Sequence, residues 1–174
     1  ITWQNAYRAA GGVNTNWYRE IYKIHSFPQT HNISVSGGSD KFKVYASGAY
    51  KKNDGLIAFG EDKMNKYNTS FRMDAQITDW MSFSFGTRWQ RQDYDRPTEL
   101  EINSAGGIFG SMATYEVAPN FPIYDRNGYL IAWPSSPLGL ADGGTTRSVV
   151  DSIYQHGEMI ITPLQGWRDV GNFT

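Results

Sequence analysis

The chain has 174 residues with 16 basic and 17 acidic side chains, a net charge of −1 and no cysteine. The charge balance argues against nucleic-acid binding, which needs a clustered excess of Lys and Arg, and the lack of cysteine excludes disulfide scaffolds and thiolate metal sites. No apolar run approaches the roughly 18 to 20 residues of a membrane-spanning helix, so a helical membrane protein is excluded, whereas a membrane β-barrel, whose strands are only half apolar, is not.

Residues 1–30 lack the alternation of apolar and polar residues that follows them, and they are predicted to form a loop with a short helix. Trp17 and Ile21 are four residues apart, which puts them on one side of a helix within residues 14–22. Pro28 would end any such helix, because proline cannot donate a backbone hydrogen bond.

Residues 31–92 are predicted to form two β-hairpins, because apolar and polar residues alternate there with a period of two. The first hairpin turns at residues 37–41. The second covers residues 67–90, and its odd-numbered positions are apolar while its even-numbered positions are polar. Keeping the faces matched across the second hairpin pairs Met73 with Phe85.

The polar faces of these strands carry charged side chains, among them Arg72, Asp74 and Arg88. Such groups need water or one another, which a wide aqueous lumen supplies and a packed sandwich core does not. The strand at 67–77 also has the 9 to 11 residues that an outer-membrane strand needs. We therefore predict that these three side chains face a lumen and that the odd-numbered residues of the second hairpin contact hydrocarbon.

The connections are short at one end of the predicted strands and long at the other, a layout typical of outer-membrane barrels. Residues 93–152 form the predicted long extracellular loop, and 153–174 a further strand and the start of the next. A turn sequence at 125–128 could fold part of this loop into a small hairpin. The loop's aromatic residues are the candidates for contact with a ligand or a partner: Tyr115, Tyr124, Tyr129 and Trp133.

No constellation predicts a catalytic, cofactor-binding or metal site. The three histidines are too far apart in sequence to suggest a ligand set, and the glycine-rich run at 105–110 neither follows a strand nor opens a helix. We expect no enzymatic activity and no cofactor. Two other classes of protein stay open on the residues alone, a soluble carbohydrate-binding β-sandwich and a passive porin.

Several runs resemble the SusC/RagA family of TonB-dependent outer-membrane transporters. The first three are NTNWYREIY at 14–22, HNISVSGG at 31–38 and YASGAY at 45–50. Further runs follow in the family's order: NDGLI at 53–57, KYN at 66–68 with Asp74, ITDW at 77–80, PIYDRNG at 122–128 and PLQGW at 163–167. Each match is short, and their shared order over nearly the whole chain carries the resemblance.

The resemblance implies a large transmembrane barrel of roughly 22 antiparallel strands closed around a plug. This chain would supply about six of those strands, so it is expected to be an internal fragment of a longer polypeptide. The implied function is energy-dependent import of glycan or peptide oligomers across the outer membrane with a SusD-like surface lipoprotein. The TonB complex would act through parts of the parent chain outside these residues, and outer-membrane lipid would contact the apolar faces.

Overall fold

The computed structural model describes residues 2–98, 119–132 and 137–174. Their elements are α1 (Trp3–Ala9), α2 (Trp17–Ile21), β1 (Gln29–Gly38), β2 (Phe42–Asp54), β3 (Lys63–Thr78), β4 (Met81–Pro97), α3 (Pro137–Asp142), β5 (Thr145–Ile161) and β6 (Asp169–Phe173). The chain divides into two compact units. The sheet unit comprises 28–53, 64–93 and 148–174, and the loop unit comprises the described residues of 1–27, 54–63 and 94–147.

The six strands form one antiparallel sheet in which each strand lies beside its neighbours in sequence, in the order β1 to β6. Between β1 and β2 the register pairs Ile33 with Gly48 and Val35 with Ala46, so the apolar positions of both strands lie on one face. The prediction of an antiparallel all-β fold with about six strands is therefore confirmed.

Side-chain contacts extend this face across the sheet unit. The Tyr50 ring lies 5.1 Å from the Tyr67 ring, and the Trp89 indole N–H donates to Asp151 over 3.1 Å. Because alternate residues of a strand point to opposite faces, these contacts fix which positions share a face. The apolar face thus carries Ile33, Val35, Val44, Tyr67, Phe71, Met73, Phe83, Phe85, Trp89, Ile153 and Met159.

The strands extend further than the sequence predicts, and the predicted loop bounds are corrected accordingly. The connection from β2 to β3 covers residues 55–62, and the one from β4 to β5 covers 98–144 instead of the predicted 93–152. β5 therefore begins at Thr145, ahead of the strand predicted in 153–174. These extensions could not be predicted from the sequence, because charged residues at the strand ends interrupt the alternation of apolar and polar positions.

Ion pairs between strands explain why charged residues can continue the sheet. In the sheet unit, Arg91 of β4 lies 2.8 Å from Asp151 of β5. In the loop unit, the Asp95 carboxylate lies 3.5 Å from the Lys63 ammonium and 3.8 Å from the Arg147 guanidinium. Each pair joins residues of different strands. A charged residue that interrupts the alternation of apolar and polar positions therefore finds an opposite charge on the neighbouring strand.

The loop unit has its own small hydrophobic core. Trp17 and Ile21 of α2 are buried, and Ile57, Ile123 and Leu140 pack with them. The prediction of a short helix with Trp17 and Ile21 on one side is confirmed.

Helix α2 begins after Asn16, whose side-chain oxygen accepts a hydrogen bond from the Arg19 N–H over 3.2 Å. The helix ends at Ile21, well before Pro28, because Tyr22 turns extended and pairs with Ile57. None of the helices in the described ranges is both long and apolar enough to cross a membrane.

Candidate functional site

A cavity of about 750 Å³ lies on the polar side of the sheet unit, where strands β2 to β5 run side by side. Its lining combines cationic, aromatic and hydroxyl side chains, including Tyr45, Ser47, Ser70, Arg72, Arg88, Tyr154 and His156. Among the described residues, no Asp or Glu side chain lines this cavity. The cavity therefore offers hydrogen-bond donors and the positive charges of two guanidinium groups.

Arg72 is oriented by a neighbour on its own strand. Its Nε donates to Asp74 Oδ2 over 3.0 Å and its Nη2 donates to Asp74 Oδ1 over 3.2 Å. Asp74 also accepts a hydrogen bond from the Ser84 hydroxyl of β4. Both members of the pair are accessible to water, so the contact orients the guanidinium more than it stabilises the fold.

Arg88 differs from Arg72 in having no partner among the described residues. Within the described parts of the chain, its guanidinium makes no hydrogen bond, ion pair or ring contact. The side chain is exposed on the same polar face. Arginine stays protonated at any physiological pH, so Arg88 presents a full positive charge and all its donors to whatever enters the cavity.

The structure thus brings two of the three predicted lumen residues together. Arg72 and Arg88 line one cavity, and Asp74 lies beside them in a smaller depression that it shares with Lys43. That this face borders the lumen of a barrel stays a prediction.

Several lining residues are not predicted as site residues from the sequence, and two of them lie on a strand that the sequence pattern shows only in part. Tyr154 and His156 lie on β5, whose apolar and polar alternation is hard to see before residue 157. Extending the period of two backwards from Met159 would have placed both on the polar face. The described residues contain no group of three or more residues suited to hold a metal ion.

The predicted hairpin at 125–128 is confirmed in the loop unit. One carboxylate oxygen of Asp125 accepts hydrogen bonds from the Asn127 and Tyr129 N–H groups, over 2.8 and 2.9 Å. Tyr124 pairs with Leu130 across the turn. This geometry follows from the short Asp side chain, which mimics a backbone acceptor.

The hairpin exposes two of the four candidate contact residues. Tyr124 is 46% exposed and Tyr129 is 71% exposed. Both rings are available for contact, which stays a prediction. The other two candidates, Tyr115 and Trp133, lie outside the described residues.

Half-buried polar groups mark a second feature of the loop unit. Burial raises the pKa of the Tyr94 hydroxyl, and the nearby Asp62 raises it further. A hydrogen bond from Lys63 to Glu61 raises the pKa of the ammonium, with Asp95 contributing. The raised pKa values keep the Tyr94 hydroxyl protonated and the Lys63 ammonium charged near neutral pH.

Comparison with curated proteins finds a relative among TonB-dependent receptors. The chain is 29% identical over 131 residues to TonB-dependent receptor P3 of Formosa agariphila. The match covers 73% of this chain and 13% of that receptor, so the chain spans a small part of the relative's length. No family model matches the chain. The similarity supports a relationship to TonB-dependent receptors and does not single out the SusC/RagA subfamily.

Proposed function

We propose that this chain forms part of the barrel wall of a TonB-dependent outer-membrane transporter of the SusC/RagA type. The observation that carries the proposal is the six-stranded antiparallel sheet with one apolar and one polar face. The similarity to a TonB-dependent receptor supports it independently. A bilayer on one side and water on the other are surroundings that suit such a sheet.

The exposure of the apolar face supports a lipid contact. Ile33 is 76% exposed, Val35 is 68% exposed and Ile153 is 66% exposed. Soluble proteins seldom leave such residues in one contiguous exposed patch. From residue 67 to residue 77, a strand tilted by about 45° rises about 23 Å, close to the apolar band of about 25 Å in outer-membrane barrels.

Aromatic rings lie near one end of this apolar face. His31 stacks on Tyr50 with ring centres 6.3 Å apart, and Tyr50 lies beside Tyr67. Trp89 follows on β4, two residues before the charged Arg91. Rings with an apolar body and a polar edge favour the membrane interface, so this level of the sheet would mark the outer boundary of the hydrocarbon.

The proposed activity is import of glycan or peptide oligomers, with no chemistry performed on the ligand. Energy would come from the TonB complex, and a SusD-like surface lipoprotein would capture the ligand. The polar cavity and the exposed rings of Tyr124 and Tyr129 supply hydrogen-bonding groups and flat surfaces for such a ligand.

Cysteine labelling tests the orientation of the sheet, and it is clean here because these residues contain no native cysteine. Phe85→Cys and Ser84→Cys are neighbours on opposite faces. In outer-membrane vesicles, we expect Ser84→Cys to react with a water-soluble maleimide and Phe85→Cys to react only with a lipid-soluble one. Equal reaction of both variants with the water-soluble reagent would reject the membrane placement.

Uptake tests the transport activity and separates the alternatives. The intact polypeptide would be produced in a Gram-negative host, and uptake of labelled oligosaccharides and peptides measured with and without a protonophore. We expect uptake that the protonophore abolishes and a lipoprotein that copurifies. Uptake that persists with the protonophore would indicate a passive porin, and recovery of the protein in the soluble fraction would indicate a β-sandwich.

A further inference from the structure

We propose that the cavity on the polar face binds an anionic group of the ligand, and that the transported oligomer is an acidic oligosaccharide bearing carboxylate or sulfate groups. The inference rests on the proposed transport function and adds the charge and the chemical class of the ligand. It follows from the charge, the hydrogen-bonding capacity and the aromatic rings of the cavity wall.

The first step is the state of Arg88. Its guanidinium lines the cavity and has no partner among the residues that the structure describes. The planar guanidinium presents its N–H donors in a fork that matches a carboxylate or a sulfate with two parallel hydrogen bonds. A neutral sugar hydroxyl cannot use this geometry fully, so Arg88 favours an anionic group.

The second step is the arrangement of Arg72. Asp74 accepts from its Nε and Nη2, and none of the hydrogen bonds found within the described ranges uses Nη1. The Asp74 carboxylate is directed at Arg72 and lies outside the cavity lining. Asp74 balances the charge of Arg72, on which Glu158 also acts electrostatically, so Arg72 is a second donor held in place. The positive charge that favours an anion therefore comes from Arg88.

The third step concerns the kind of molecule that carries the anion. The Tyr45 ring is 43% exposed and the Tyr154 ring is 72% exposed, and both line the cavity. Ser47 and Ser70 add hydroxyl groups to the same lining. Flat apolar rings beside hydroxyl donors and acceptors suit the two faces and the rim of a sugar ring better than a flexible acidic peptide.

The test uses the purified intact protein in detergent and matched pairs of probes. One pair is hexagalacturonate and its full methyl ester, and the other is sulfated and unsulfated cellohexaose. Hexaglutamate serves as the acidic peptide. Binding is measured by titration calorimetry at low and high salt.

We expect at least one charged hexasaccharide to bind about tenfold or more tightly than its neutral counterpart, and this preference to shrink as salt rises. Arg88→Gln should weaken binding of the charged probe about tenfold, which is the usual effect of losing a hydrogen bond to a charged group. Arg168→Gln removes the same charge from an exposed turn outside the cavity lining and should leave binding unchanged. Arg88→Lys keeps the charge and should recover part of the affinity.

Three results would overturn the proposal. The first is that neither charged sugar binds more tightly than its neutral counterpart. The second is that hexaglutamate binds as tightly as the charged sugars. The third is that Arg88→Gln lowers the melting temperature of the ligand-free protein and weakens charged and neutral probes equally, which would mean that a carboxylate of the protein itself occupies Arg88. Protonophore-sensitive uptake of neutral oligomers would reject this inference and leave the proposed transport function standing.

Discussion

Arg91 and Asp151 form a two-point ion pair between β4 and β5. The Nε of Arg91 donates to Oδ1 over 3.0 Å and Nη2 donates to Oδ2 over 2.8 Å. The Trp89 indole donates to the same carboxylate. The pair lies on the same face as the apolar residues of β4, just past Trp89, so it marks the point where that face changes from apolar to charged.

Removing this pair should loosen the two strands locally. In Asp151→Asn, we expect faster amide hydrogen exchange around residues 89–93, because Arg91 loses its charged acceptor. The effect should be small and should shrink at high salt, since both side chains are accessible to water. Asp79→Asn in the β3–β4 turn is the control. Unchanged exchange at low salt would show that the pair does not hold the strands.

A charge placed on the apolar face should impair assembly of the intact protein. Phe85→Arg is expected to destabilise the folded, membrane-inserted state by about 2 to 4 kcal/mol if the residue lies near the bilayer midplane. Ser84→Arg, on the polar face, is the matched control and should be tolerated. The heat-dependent shift in gel mobility of folded barrels measures assembly. Equal impairment by both variants would mean that Phe85 and Ser84 are assigned to the wrong faces of the sheet.

The core of the loop unit should depend on Ile21. This side chain is 1% exposed, and Ile21→Ala would leave a cavity costing about 3 kcal/mol. Ile24, three residues further along, is 71% exposed, so Ile24→Ala should change stability by no more than about 0.5 kcal/mol. Hydrogen exchange of the loop unit in the intact protein measures both, and similar protection in the two variants would contradict the proposed core.

The hairpin at Asp125 should depend on a glycine. Gly128 has φ +86°, a conformation that costs an alanine about 1 kcal/mol or more. No atom of the residues that the structure describes lies within 4 Å of the position that a Cβ would take, so the strain in Gly128→Ala would lie in the backbone.

We expect faster exchange of the Asn127 and Tyr129 amides in that variant. Gly37→Ala is the control, because its added Cβ also meets nothing within 4 Å and its φ is not in the left-handed region. Equal exchange in both variants would show that the hairpin tolerates the strain.

Much of the sheet could be predicted because its signal is local. Residues 67–77 and 81–89 alternate without interruption, so their strands and faces follow from the period of two side chains along an extended backbone. The helix at Trp17 and Ile21 follows from the same kind of argument at a spacing of four residues. The turn at 125–128 follows from Asp, Asn and Gly, because each of these residue types favours turn conformations of its own backbone.

The candidate site was only partly accessible from the sequence. Arg72 and Arg88 stand out as charges on a polar face, and the sequence alone assigns them to one side of the sheet. That Asp74 holds Arg72, while Arg88 has no partner in the described part of the chain, depends on side-chain geometry. The contributions of Tyr154 and His156 depend on β5 lying beside β4, which the sequence pattern left open.

The sequence by itself determined the class of structure, which is antiparallel strands with one apolar and one polar face. It could do so because the alternation of apolar and polar side chains involves only consecutive residues. Only the tertiary structure decided where the strands end and which groups meet. Arg91 and Asp151 are 60 positions apart, and Thr15 bonds to Phe121 over a separation of 106. Such contacts depend on how distant segments pack together, so no local pattern of residues predicts them.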